Sequence, residues 1–322
     1  MGKKRLLRLF VAVLSLVMVI GACGGSDEEA DGSPSELSLL TGGTGGTYFP
    51  LGGELATIIQ DETDIENANA ESTGASVENM QILQDGEGDI AFTQTDIAAY
   101  ATKGELMFED GKMDNIQAIG TLYPETIQIV TLMESGISSV ADLKGKKVSV
   151  GAPSSGTYAN AEQVLEIHGI AMEGIDAQHL AFDELTEGIQ EGTIDAAFIT
   201  SGTPTGALEG LSAIKPVKIL PIEDNKISEL VEKYPYYAEE TIKSGTYGLE
   251  SDVKTVAVLA MLVARSNLDE DYVYQMTKAI FDNSNKITHA KGEFITADTA
   301  LEGVGIDLHP GAKKYFDEKG IE

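Results

Sequence analysis

Apolar residues in this chain come in short runs, each followed by a polar, glycine- or threonine-rich break and then by apolar positions three and four apart. Buried strands alternating in this way with amphipathic helices predict an α/β chain. The first unit is LSLLTGGTGGTYFPLGGELATIIQ, residues 37–60, which reads as strand, loop and helix. Pro50 suits the first turn of that helix, where its missing N–H would have had no partner. Residues 72–76 can then cap a helix whose apolar face is Val77, Met80, Ile82 and Leu83, with Gly86 and Gly88 ending it. A short buried strand over 89–93 (DIAFT) leads into the polar cluster Thr93-Gln94-Thr95-Asp96, in which Asp96 is a possible helix cap, and a second helix follows. Segments 116–122 and 127–132 read as two extended pieces separated by Tyr123-Pro124-Glu125.

Further along, the pattern predicts a strand at 148–150, a helix over 158–168, a strand at 195–200, a helix to about 211 and a strand over 217–222. Residues 226–242 read as a helix broken before Pro235 and an aromatic turn. The uncharged run 255–264 (TVAVLAMLVA) is too short to cross a bilayer and suits a buried strand returning to the first half. Val273, Met276, Ile280 and Phe281 lie at helical spacing within 269–283, and the chain ends in a turn at His309-Pro310-Gly311 and a last helix.

One order of elements occurs twice. VSVGAPSSGTYANAEQVLEI repeats LSLLTGGTGGTYFPLGGELATI, both loops closing on Gly-Thr-Tyr, at Gly46-Thr47-Tyr48 and Gly156-Thr157-Tyr158. Downstream of each comes an aspartate-led apolar strand, DIAFT at 89–93 and DAAFIT at 195–200. A third Gly-Thr-Tyr at 245–247 has no strand before it, so the repeated order carries the argument and the tripeptide alone does not. Two similar lobes follow. Each loop brings backbone N–H groups and hydroxyls to a helix N-terminus, where the helix dipole favours a negative group. Taken singly, such a loop serves equally well as a tight strand-to-helix connection. It is not a Walker loop, since no Gly-Lys-Ser/Thr follows, nor a dinucleotide fingerprint, since the third glycine is missing.

The N-terminus changes the compartment. Lys3, Lys4, Arg5 and Arg8 precede an uncharged apolar run over 9–20, and small residues lead to Cys23, the only cysteine. This pattern predicts a lipoprotein export signal over 1–22, with Cys23 as the lipid attachment site and 23–36 as a flexible, acidic tether. Removing 1–22 lowers the formal charge from −30 to −34. Such a field argues against nucleic acid as a partner and fits solubility in a salty or alkaline medium. No catalytic set assembles: His168, His179, His289 and His309 lie apart without metal-ligand spacing and read as helix-end or surface residues. No metal and no cofactor is expected.

The motifs TGGTGGTYFPLG, SVENMQILQDGEGDIAFTQTD, LYPE, DLKGKKVSVGAPSSGTYANA, IDAAFITSGTP and LHPGAKKYFDEKG together resemble the TAXI-type solute receptors of TRAP transporters, from residue 37 to the C-terminus. The resemblance implies a type II periplasmic-binding-protein-like fold, two α/β lobes joined by two crossing strands. Lobe I would take 37–125 and 254–322, and lobe II 126–253. It also implies no enzymatic activity, a small carboxylate ligand such as glutamate, glutamine or 2-oxoglutarate, and a TRAP membrane permease as partner. The alternatives are a receptor for an ABC importer, which can share the fold, and a membrane-anchored sensor. Carried onto this chain, the ligand positions in the first lobe are Gly46, Thr47, Tyr48, Thr73 and Gln94, with Tyr123 near a crossing strand. In the second lobe they are Ser154, Ser155, Gly156 and Thr157, with Gly202 and Pro204 shaping the wall. Ser155 stands where that family tends to have glycine, which would narrow the cleft.

Overall fold

The structure is a computed structural model that describes residues 36–322; the expected export signal, Cys23 and the tether up to residue 35 lie outside the described residues. In chain order the first half runs β1 (Leu37–Leu40), α1 (Tyr48–Glu62), β2 (Ala68–Glu71), α2 (Ser76–Asp85), β3 (Ile90–Gln94) and α3 (Thr95–Lys103) into a long strand β4 (Ile116–Leu132). The second half follows with β5 (Lys147–Ser149), α4 (Gly156–Ile167), β6 (Asp176–Gln178), α5 (Phe182–Glu191), β7 (Ala196–Ser201), α6 (Gly206–Ile214), β8 (Val217–Ile219), α7 (Asp224–Lys233) and β9 (Ala238–Ile242). A second long strand, β10 (Val253–Arg265), returns to the first half, and α8 (Glu270–Asp282) and α9 (Pro310–Lys319) complete it. Among the described residues no helix is long and apolar enough to cross a membrane.

The sheet order is β2-β1-β3-β10-β4-β7-β5-β6, with β8 and β9 pairing onto β4 and β10. The repeat seen in the sequence is visible here as topology. In the first half β2, β1 and β3 are parallel and β10 adds antiparallel; in the second β6, β5 and β7 are parallel and β4 adds antiparallel. The two aspartates that lead the third strands also do the same work: Asp89 Oδ2 accepts the N–H of Ser38 at 2.8 Å, and Asp195 Oδ2 accepts that of Lys147 at 2.8 Å. Each ties the start of its half's first strand to the start of the third. Asp89 additionally pairs with Arg265 at 2.7 Å.

Each half is covered on both faces, as a mainly parallel sheet requires. In the first, Leu51, Leu55 and Ile59 of α1 pack with Met276, Ile280, Tyr315 and Phe316 on one face, while Val77, Met80, Leu83 and Ile97 cover the other. In the second, Val164, Leu165, Ile227 and Leu230 cover one face and Leu185, Ile189, Leu208 and Leu211 the other. Of the two long strands, Ile119 to Tyr123 and Ala260 to Ala264 contribute to the first pair of clusters, Ile127 to Val130 and Val256 to Val258 to the second.

Three expectations are corrected. The pieces 116–122 and 127–132 are one strand of 17 residues that runs through Pro124. Pro124 faces Leu259 of β10, and β7 joins the other edge of β4 only from Thr126 onward, so no sheet partner on that edge lacks the missing N–H. Between residues 60 and 72, where the pattern predicts no element, lies β2, whose ANAE sequence becomes a strand by parallel pairing to β1. The segment 226–242 is a helix only to Lys233; residues 238–242 form β9 against β10.

Candidate functional site

The loops that follow β1, β3, β5 and β7 all leave the carboxyl ends of their strands, where open α/β sheets hold ligands. In the first of them Gly46 N–H returns to Gly43 O at 3.1 Å, closing the turn that delivers Thr47 to the start of α1. Thr47 N–H then donates to Ser201 Oγ at 3.2 Å, with the two hydroxyls 3.0 Å apart, so the tip of α1 is joined to the end of β7 in the other half. Tyr48 stacks on Phe92 (ring centroids 4.8 Å apart) and its hydroxyl donates to Glu125 Oε2 at 2.7 Å. Thr73 holds the turn before α2: its hydroxyl donates to Asn79 Oδ1 at 2.6 Å and accepts Ala75 N–H at 3.0 Å. Helix α2 itself starts at Ser76 after Ala75, which has φ 75, and no side chain of 72–76 caps it directly.

The second loop works differently at its tip. Ser155 Oγ accepts Tyr158 N–H at 3.2 Å and so caps α4, a gain over the glycine expected from the resemblance. Gly156 is the first residue of α4, and a Cβ there would overlap the end of the Gln94 side chain, which would have to move aside. Thr157 Oγ1 accepts Thr200 N–H at 3.4 Å. Contacts between the halves surround these residues. Glu78 N–H donates to Ser154 O at 3.1 Å, Ala207 N–H to Gly45 O at 3.2 Å, and Thr44 Oγ1 to Asp183 Oδ2 at 3.0 Å.

Between the two loops lies a cavity of ≈ 70 Å³. At roughly 30 Å³ for each water, that is room for about two waters in the conformation described. Of the sequence-derived site residues, Gly46, Thr47, Tyr48, Thr73, Gln94, Ser155, Gly156 and Thr157 line it. The other four do not. Tyr123 is buried behind Glu125, and Ser154, at φ 58, presents its carbonyl to α2. Gly202 backs the wall, where a Cβ would crowd Lys291 and Thr47 Oγ1, and Pro204 lines a separate outer groove.

Sequence reasoning missed Glu125, Ser76, Phe182, Thr200 and Ser201, all of which line the cavity. Glu125 had a signal, being the one charged residue in the stretch 116–132. Thr200 had another: aligning DIAFTQ with DAAFIT places it opposite Gln94.

The electrostatics are set by burial. Glu125 is 2% exposed, and desolvation pushes its carboxyl from the ordinary 4.5 to about 8, against the Tyr48 hydrogen bond that favours the ionised form and with the nearby Asp96 adding to the rise. Asp96, expected as a possible cap, lies inside α3 and is fully buried; burial raises it to about 7, while Asn160 Nδ2 donates to its Oδ2 at 3.0 Å across the two halves. The same burial lifts the Tyr48 phenol well above its usual range. Gln94 Oε1 and Thr200 Oγ1, both on buried residues of the cavity wall, have no hydrogen-bond partner among the described residues. Among the described residues that line the cavity there is no Lys, Arg or His. Two of the four histidines start helices: His289 Nδ1 accepts Lys291 N–H, and His309 Nδ1 accepts Gly311 N–H at the start of α9. His168 bonds Glu223, and His179 packs on Tyr158. Among the described residues no three His, Cys, Asp or Glu side chains are grouped to hold a metal.

Two α/β halves of repeated topology, linked by two long strands and enclosing a cavity at their strand ends, define a periplasmic-binding-protein-like fold. Solved structures sharing it include a protein from Bordetella bronchiseptica RB50, 16% identical over 88% of this chain and 82% of that one (TM-score 0.56). Another is PhnD1 from Prochlorococcus marinus MIT 9301 in complex with methylphosphonate, 9% identical over 89% and 91% (TM-score 0.52). A third, described as a periplasmic transporter, is 12% identical over 88% and 95% (TM-score 0.52). At these identities the likeness is one of fold. Residues 39–320 match the NMT1-like family, and the chain belongs to it.

Proposed function

We propose that this protein is an extracytoplasmic solute receptor, tethered to the membrane through a lipid on Cys23, that captures a small carboxylate by closure of its two lobes and delivers it to a TRAP permease. The observation that carries the reading is the cavity itself, walled on one side by the tip of α1 and on the other by the tip of α4. Neither half alone has both walls. The first N–H groups of a helix have no intrahelical partner and lie in the positive end of its dipole, so these two tips and their hydroxyls offer a carboxylate donors where no cation is at hand. We assign lobe I to 37–125 and 254–322 and lobe II to 126–253, with the bend where β4 and β10 cross between the two sets of apolar clusters. Ligand contacts made to both walls would stabilise the closed form over the open one.

The TRAP assignment rests on the motifs that run from TGGTGGTYFPLG to LHPGAKKYFDEKG. Adjacent genes for a large multi-span permease with no ATPase would agree with it; an ATPase there would move the protein to the ABC importer reading. For the ligand, isothermal titration with amino acids, 2-oxo acids, dicarboxylates and methylphosphonate is the test. Heat from a carboxylate is the expected result, and binding of the phosphonate alone would overturn the carboxylate assignment.

A further inference from the structure

Helices α3 and α4 join the two halves through a polar contact that water does not reach. Asp96 of α3 and Asn160 of α4 are both fully buried, and Asn160 Nδ2 donates to Asp96 Oδ2 at 3.0 Å and to the Tyr237 hydroxyl at 2.8 Å. The Tyr237 hydroxyl donates in turn to Gln163 Oε1 at 2.6 Å, and Gln163 Nε2 to the Tyr100 hydroxyl at 3.3 Å. The bonds thus run from α3 across to α4 and back to α3. Two acceptors are left over: neither Asp96 Oδ1 nor Asn160 Oδ1 has a hydrogen-bond partner among the described residues. Both amide hydrogens of Asn160 are already in use, so the contact is short of a donor. It is also short of positive charge. The groups that face Asp96 are Glu125 from β4, Tyr100 from α3 itself, Tyr237 from the turn before β9, and the uncharged Asn160 and Gln163 from α4.

We propose that Asp96 is a proton-operated clasp between the two halves: protonated, it donates from Oδ1 to the Asn160 carboxamide oxygen and holds the halves together, and ionised, it favours their separation. One proton removes the unpaired charge and turns an acceptor without a donor into the donor that its neighbour lacks. Without it, a buried carboxylate faces a second acid and no cation, and it is relieved only when the halves part and water reaches it. The sign follows from the same contact. Burial raises the Asp96 carboxyl from the ordinary 3.8 to about 7, against the first N–H groups of α3 and the Asn160 amide, which favour the ionised form. An Asp96 hydrated in the open form returns towards 3.8, so closing takes up a proton at the pH values between. Closure is fully favoured below about pH 4 and loses up to about tenfold in its equilibrium constant per pH unit until about pH 7. Glu125, raised by burial on the cavity wall, acts with the same sign, so a test has to separate the two acids.

The test needs no ligand, so its failure leaves the receptor reading untouched. Small-angle X-ray scattering of the ligand-free protein should show the radius of gyration rising from pH 5 to 8, as the closing equilibrium falls by about a hundredfold up to pH 7. Asp96→Asn supplies a donor and an acceptor at every pH and should stay compact through pH 8. Glu125→Gln should still open as the pH rises, because Asp96 remains. A wild-type radius that does not change with pH overturns the clasp, and so does an Asp96→Asn protein that opens as wild type does. If Asp96→Asn does not fold, as judged by the melting of its far-ultraviolet circular dichroism, Glu125→Gln decides: a pH response that vanishes with Glu125 belongs to Glu125 and overturns the assignment to Asp96. Compaction at pH 8 on adding sodium chloride but not choline chloride would put a sodium ion, in place of the proton, between the two acceptors, and overturns it too.

Discussion

Glu125 sits in a run that is otherwise free of charge, and the structure shows why an acid is tolerated there: it faces a cavity, while the apolar residues of the same strand are buried in the clusters of the two halves. Its carboxyl, raised from 4.5 to about 8, binds a proton in the folded protein over a range where the unfolded chain has lost it. The stability this gives is complete below about pH 4.5 and is lost as the pH rises towards about 8. Melting temperatures of the ligand-free protein should therefore fall between pH 5 and 8. Glu125→Gln should flatten that fall, by up to about 1.4 kcal/mol per pH unit, with Asp96 retaining a share of it. Parallel wild-type and variant curves would show that Glu125 is ionised in the ligand-free protein. At Gly156 the argument is steric. Gly156→Ala places a methyl group on Gln94 Oε1, and displacing Gln94 should weaken ligand binding by about 1–3 kcal/mol in a titration, while Gly53→Ala, on the exposed side of α1 where a Cβ meets nothing, should leave it unchanged. Sequence alone reached eight of the residues that line the cavity, because a repeated loop and its tripeptide are local signals. It did not reach Phe182 or Ser201, which arrive at the cavity only because α5 and β7 are folded against the first half; no local pattern marks them.

At the scale of elements, the repeated strand–loop–helix order was legible because strand and helix each have a period and the loops have a composition. The long strand β4 was not, because Pro124 is a reliable break only where both edges of a strand are paired. Strands β2 and β9 were hidden for the opposite reason: their ANAE and AEETI sequences carry little apolar character, and pairing to a neighbour makes them strands. The two leading aspartates allow a comparison inside one molecule. Each accepts a first-strand N–H, but Asp89 also holds the partly buried Arg265, whereas Asp195 lies at the surface. Asp195→Ala should cost about 1 kcal/mol in a denaturant melt, and Asp89→Ala about 2–4 kcal/mol because it also strands the guanidinium. Equal losses would mean that the Arg265 pair contributes nothing.

For the whole molecule, the two halves meet around the cavity through polar contacts, among them Thr47 with Ser201, Glu78 with Ser154 and Asp96 with Asn160, and beside it through the packing of Tyr100 on Tyr236. A ligand that touches both sides shifts the balance by its differential affinity for the closed form. A ligand at one hundred times its dissociation constant should raise stability by about 2.7 kcal/mol, seen as a higher melting temperature. The central claim, that the cavity between the α1 and α4 tips is a ligand site with two walls, is tested most directly by amide hydrogen exchange with and without the tightest ligand found by titration. The account predicts slowed exchange in both 42–48 and 152–158, from opposite halves, at the same ligand concentration. Protection confined to one of these loops, or to neither, would contradict it.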